Sequence, residues 1–200
     1  MKYLRLFLSA LLAGAAIGIG GTVFLSVQNS VVGAVLFAVG LYAICAHGLH
    51  LFTGKVGYCV EEGPGYIGRL AVIWLGNYAG TALTALAVRA SRIAPIADRA
   101  AAMCEVKLGD SLFSLLVLAV FCGLLMFVAV DGYRRTQHPL ILLMCVAAFI
   151  LCGFEHCIAD MFYFSLAGAP VHAALLRLAV ITLGNGIGGV LIPLLRKLPE

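Results

Sequence analysis

Residues 153–161, GFEHCIADM, set Glu155, His156 and Asp160 inside a run that is otherwise apolar, with VAAFILC before it and FYFSLAG after it. Proton chemistry is the natural use of such a set, because imidazole changes charge near pH 6.5 and modest changes in its surroundings move that transition. A second polar interruption, HGLHLFTGK at residues 47–55, brings His50, Thr53 and Lys55 into another apolar run. His47 and His50 are three residues apart and can share one helical face, so together with Glu155, His156 and Cys157 they offer zinc-type donors. Two elements this short do not define a zinc site. No metal and no cofactor is expected.

The elements that hold these residues must be membrane-embedded. Hydrophobic residues make up 63% of the chain and charged residues 11%, against about 25% charged in an ordinary soluble domain. Mean hydropathy is +1.09. At about 20 residues per spanning helix, 200 residues leave room for six spans and no separate soluble domain. The net charge of +4 lies in short loops that flank apolar runs, where it reads as a topology signal and not as a nucleic-acid surface. Seven cysteines, mostly inside apolar segments and without CxxC spacing, read as small apolar fillers. Lys2 and Arg5 precede a run that continues to Val27, too long for a signal peptide, so a retained first helix is expected.

Six apolar segments follow from the pattern, at about 4–27, 30–53, 66–90, 111–130, 139–168 and 173–195. The longest connector, RASRIAPIADRAAAMCEVKLGD, has the Ala-rich, Arg-spaced look of a surface helix. With the N-terminus inside, the cytoplasmic side collects Lys2, Arg5, Lys55, Arg69, Arg134, Arg135, Arg196 and Lys197, against Arg89, Arg92, Arg99, Lys107 and Arg177 outside. That excess favours two cytoplasmic termini. WLGNYAGTAL in the third segment returns as TLGNGIGGVL in the sixth. A repeat of three spans must be inverted in the membrane, an architecture that places a binding site at the midplane. The expected fold is therefore all-α, a single channel domain over 1–200 built of two inverted three-helix repeats (about 4–90 and 111–195). Its second and fifth helices are broken by the polar interruptions, since irregular backbone and ionisable groups at that depth must face protein or a water-filled path. Asn77 and Asn185, each followed by glycine three residues on, are expected to cap the breaks.

The order of these motifs resembles the formate/nitrite transporter family: LFTG in a broken second helix, LGN in the third, a lysine then Phe-Cys before the core of the fourth, GFEH-x-x-A-x-M in a broken fifth, and TLGN-x-x-GG in the sixth. The resemblance spans nearly the whole chain and implies an aquaporin-like protomer in a homopentamer, each subunit carrying a pore for small monovalent weak-acid anions. It implies further that His156 is the central pore histidine and Thr53 its hydroxyl partner. Leu51 and Phe52 then form the cytoplasmic constriction, Phe37 and Phe149 the periplasmic one, and Lys107 draws anions toward the vestibule. Substrate would pass with a proton or as the neutral acid, because carrying a bare anion through apolar constrictions is costly. A pore of this architecture for a neutral solute such as ammonia, urea or water is the alternative.

Departures from the family pattern are informative. Glutamate and asparagine commonly occupy the places held here by His50 and Lys55 in the second helix, and by Glu155 and Asp160 in the fifth. One break is basic and the other acidic. Pairing of Lys55 with Asp160, and of His50 with Glu155, across the repeat interface is therefore expected, since unpaired charges there are expensive. Gly123 stands where a pore-facing asparagine is usual in the fourth helix.

Overall fold

A backbone surrounded by apolar side chains has to satisfy its own hydrogen bonds, and the helix does so locally. The computed structural model describes residues 1–199, and among them every regular element is helical. Four helices of 25 residues, α1 (Lys2–Ser26), α5 (Gly65–Arg89), α7 (Leu112–Thr136) and α10 (Val171–Leu195), are long and apolar enough to cross a membrane. The shorter elements are α2 (Ser30–Ala46), α3 (Phe52–Lys55), a 3-10 turn (Val56–Tyr58), α4 (Cys59–Glu62), α6 (Ile96–Gly109), α8 (Leu140–Leu151) and α9 (Cys157–Ala167).

The repeated LGN-x-x-G stretches explain how the long helices pair. Gly76 and Gly80 of α5 lie directly on the α1 backbone at Phe7 and Leu11, while Gly184 and Gly188 of α10 lie on the α7 backbone at Leu116 and Val120. A side chain at any of these four positions would overlap main chain, so small residues set the close approach. Around these two pairs, α2 packs on α1 and α8, α8 packs on α7, and α9 packs on α5.

Helix α2 stops at Ala46 and α8 at Leu151, both by the same device. Gly48 (φ 64°) and Gly153 (φ 67°) take the left-handed conformation that closes a helix. Beyond them the Leu49 N–H donates to the Ile44 carbonyl and the Phe154 N–H to the Phe149 carbonyl, each at 2.9 Å. Helix resumes at Phe52 and Cys157. The second apolar segment thus ends earlier as regular helix than the 30–53 expected, and the fifth divides into two helices.

Two boundaries differ from the sequence reading for identifiable reasons. Helix α7 continues past residue 130 to Thr136, because Asp131 is neutralised on the spot by Arg135 at 2.9 Å and by Arg196 of α10 at 2.8 Å. The long connector does form a helix, α6, but it is not simply a surface one. Arg99 donates to the carbonyls of Leu25 and Val27 at the end of α1, and Arg177 of α10 donates to the Leu108 carbonyl. These ties lay α6 against α9 with Ala100 and Cys104 buried. Lys107 is thereby directed inward.

Candidate functional site

Two asparagines fix the backbone on which the site is built. Asn77 Oδ1 accepts from the Phe52 N–H at 2.9 Å, and its Nδ2 donates to the carbonyls of Ala10 (2.8 Å) and His50 (2.9 Å). Asn185 repeats the arrangement, accepting from the Cys157 N–H at 2.9 Å and donating to Ala119 and Glu155, each at 2.8 Å. Each amide ties the end of one interruption, the start of the next helix and a long helix together, using both of its donor hydrogens.

Thr53 and His156 meet on this frame, with Thr53 Oγ1 2.9 Å from His156 Nε2 and both residues buried. His156 caps α9, its Nδ1 accepting from the Ala159 N–H at 3.1 Å. A ring nitrogen that accepts carries no hydrogen, so the hydrogen of the neutral ring sits on Nε2 and is donated to Thr53. The hydroxyl hydrogen of Thr53 remains free to donate onward. Phe149 stacks on His156 with ring centroids 5.6 Å apart, and Phe37 meets Phe149 edge-on at 5.9 Å. Leu51 is buried and lines a cavity of about 270 Å³ on the face that holds the N-terminus. Phe52, expected beside it in one constriction, lines an apolar groove with Ile67, Leu70 and Trp74.

The charges are arranged differently from the expectation. Lys55 and Asp160 do not pair, nor do His50 and Glu155. Lys107 takes both carboxylates, its Nζ 2.5 Å from Glu155 Oε2 and 3.0 Å from Asp160 Oδ1. Burial opposes the charge on Lys107, yet the two carboxylates more than offset it and raise its pKa above the ordinary lysine value. An ammonium held by two carboxylates exerts no net positive field, so Lys107 does not serve as a free anion attractor. His50 Nδ1 bonds Ser9 Oγ at 2.8 Å. With His50 on Ser9 and Glu155 on Lys107, the suggested zinc donors are not assembled.

Lys55 has no carboxylate partner among the described residues. It lines the 270 Å³ cavity together with Arg134, and a neighbouring one of about 250 Å³ with His50, Arg69, Arg134, Glu61 and Glu62, where Arg69 lies 3.9 Å from Glu62. The cations without a carboxylate partner among the described residues, Lys55 and Arg134, are therefore on the N-terminal face, and of the two only Lys55 stood out in the motifs. Their signal was available as charge count, since Lys55 and Arg134 fall on the more basic side. Gly123 also has a different role from the one expected. A Cβ there would overlap the Asn185 backbone, as one at Gly14 would overlap that of Asn77. It is a helix-packing contact, and no asparagine side chain fits there.

Comparison with known proteins agrees with this architecture. The chain is 25% identical to the formate channel FocA of Haemophilus influenzae over 191 residues, covering 83% of this chain and 67% of that protein. It is 28% identical to the nitrite transporter NirC of Salmonella typhimurium over 215 residues, covering 94% and 80%. Among solved structures, an FNT family ion channel superposes with a TM-score of 0.83 at 24% identity, covering 98% of this chain and 91% of that one. A pentameric formate channel with formate bound gives 0.81 at 22% identity, covering 98% and 96%. These structural likenesses are of fold. The formate/nitrite transporter pattern matches residues 1–197, and the chain belongs to that family.

Proposed function

We propose that this protein is a channel for small monovalent weak-acid anions, formate-like, nitrite or hydrosulfide, which pass His156 with a proton or as the neutral acid. The observation that carries this reading is the buried His156–Thr53 hydrogen bond at 2.9 Å. It leaves one hydroxyl hydrogen to meet an acceptor among Phe37, Phe149 and Leu51, side chains that offer an anion nothing. Desolvating a lone charge there costs several kcal/mol or more, so neutralisation has to precede passage. His156 orients and does not donate the proton, since its single ring hydrogen is committed to Thr53 and its loss would leave an imidazolate. Lys55 and Arg134 concentrate the anion at the N-terminal face, and solvent supplies the proton.

In this reading the chain crosses the membrane six times as one domain of two inverted repeats, α2 with α3 and α8 with α9 forming the broken crossings. The recurrence of Asn77 as Asn185 and of Gly48 as Gly153 supports the repeat. Both termini lie in the cytoplasm of a bacterial inner membrane, as the lysine and arginine count favours. The pentameric neighbour supports fivefold assembly. A second reading, a pore for a neutral solute, is favoured by one observation: Lys107 is neutralised by two carboxylates. Proteoliposome flux across a pH series, comparing formate, nitrite, hydrosulfide and urea, separates the two. Anion flux that rises as pH falls is the expected result; urea flux with no pH-dependent anion flux overturns it.

A further inference from the structure

Three charged groups meet beside His156, and their charges do not cancel. One ammonium, Lys107, lies 2.5 Å from Glu155 and 3.0 Å from Asp160. Glu155 is 4% exposed and Asp160 1%. With all three ionised, the triad keeps a net negative charge almost out of contact with solvent, a state that buried groups ordinarily leave by taking up a proton. The second carboxylate oxygen of Asp160, Oδ2, is buried without a hydrogen-bond partner among the described residues. Both carboxylates converge on the one ammonium, and two ionised carboxylates have nothing to donate to each other.

Among the described residues no other group facing the triad supplies the missing positive charge. From α6 there is Cys104, from α7 Cys122, and from α9 Cys157 and Tyr163. The Nδ1 of His156 is occupied by the Ala159 N–H. Lys55 and His50, which the sequence offered as partners, face the other side.

We propose that Glu155 and Asp160 share one proton against Lys107, making the three residues a proton-binding site adjacent to the pore. The bound proton turns two repelling acceptors into an acid–carboxylate hydrogen bond and leaves the triad neutral. Its release leaves a single negative charge beside His156, the sign that opposes an entering anion. Exchange occurs from the α6 side, where the Lys107 side chain retains 12% exposure. The site stands apart from any choice of transported solute, because it concerns the resting protein.

Infrared spectroscopy of the purified protein at pH 7, in an ester-free detergent, reads the site directly. The wild type is expected to show the carbonyl stretch of one protonated carboxylic acid per chain. Asp160→Asn and Glu155→Gln are each expected to abolish the whole band, because either change leaves one carboxylate balanced by Lys107. Gel filtration verifies that the variants keep the wild-type oligomeric state. Absence of the band in the wild type, or its retention in both variants, overturns the proposal; if neither variant folds, the wild-type spectrum alone decides.

Discussion

The two interruptions, residues 47–51 and 152–156, share a backbone and differ in what was done with charge. Both begin with a left-handed glycine and both end under an asparagine amide from a long helix. The first leaves Lys55 in a cavity with Arg134, without an ion-paired carboxylate among the described residues. The second buries Glu155 and Asp160 and closes them with Lys107. The difference traces to α6, whose Lys107 reaches only the second break, held in place by Arg99 and Arg177. The backbone frame thus specifies where two helices end; the charge of each break is set by whatever packs against it.

Removing the shared frame should be the most damaging change and should affect both breaks alike. Asn185→Ala leaves the Cys157 N–H and the Glu155 carbonyl unpartnered, and Asn77→Ala does the same to the Phe52 N–H and the His50 carbonyl. Each stranded buried group costs about 1–3 kcal/mol, so several kcal/mol are lost at either site. Thermal unfolding in detergent is expected to drop by similar amounts for the two variants. A drop confined to one would mean that the breaks do not share a frame.

Charge removal should then separate the breaks. Lys107→Met leaves two buried carboxyl groups without their cation, a loss of about 3–5 kcal/mol by the measure of broken buried ion pairs. Gly123→Asn pushes a side chain into the Asn185 backbone and is expected to cost about 1–3 kcal/mol by overpacking. Its counterpart Gly14→Asn meets Asn77 in the same way. If Gly123→Asn is instead neutral in the unfolding assay, the equivalence of the two helix pairs at this contact fails. Thr53→Val retains the shape and removes the hydroxyl that His156 meets. It should lose about 1 kcal/mol of stability, with a larger fall in anion flux than in stability, measured side by side on the same preparation.

The four long helices and the two places where helix stops were legible in the sequence because each has a local cause. Apolar length marks the helices, and ionisable residues inside apolar runs mark the interruptions; the glycines that close the helices, Gly48 and Gly153, did not stand out. The meeting of Thr53 with His156 was legible only as a resemblance, because a hydrogen bond between residues so far apart in the chain depends on two asparagines holding separate helices in register. The ion pairs were read wrongly for a related reason. Pseudo-symmetry suggested Lys55 for Asp160, but symmetry within the repeats says nothing of α6, a connector without a counterpart in the first half. Gly123 shows the same limit, since a motif position is one residue from a packing position until the helix pair is seen.

Lys55 gives the smallest and most discriminating test. Among the described residues its ammonium has no ion pair to break, so Lys55→Gln should change the unfolding temperature little while Lys107→Met lowers it strongly. A cation at an open cavity raises the local anion concentration by an electrostatic effect that salt screens over about 10 Å at 0.1 M. Lys55→Gln is therefore expected to slow anion entry from the N-terminal face severalfold at low ionic strength and to approach wild type as salt is raised. Flux in oriented proteoliposomes at two salt concentrations measures this. A salt-independent loss would place Lys55 in the translocation path itself, and an unfolding loss equal to that of Lys107→Met would mean that the first break, like the second, depends on a buried charge.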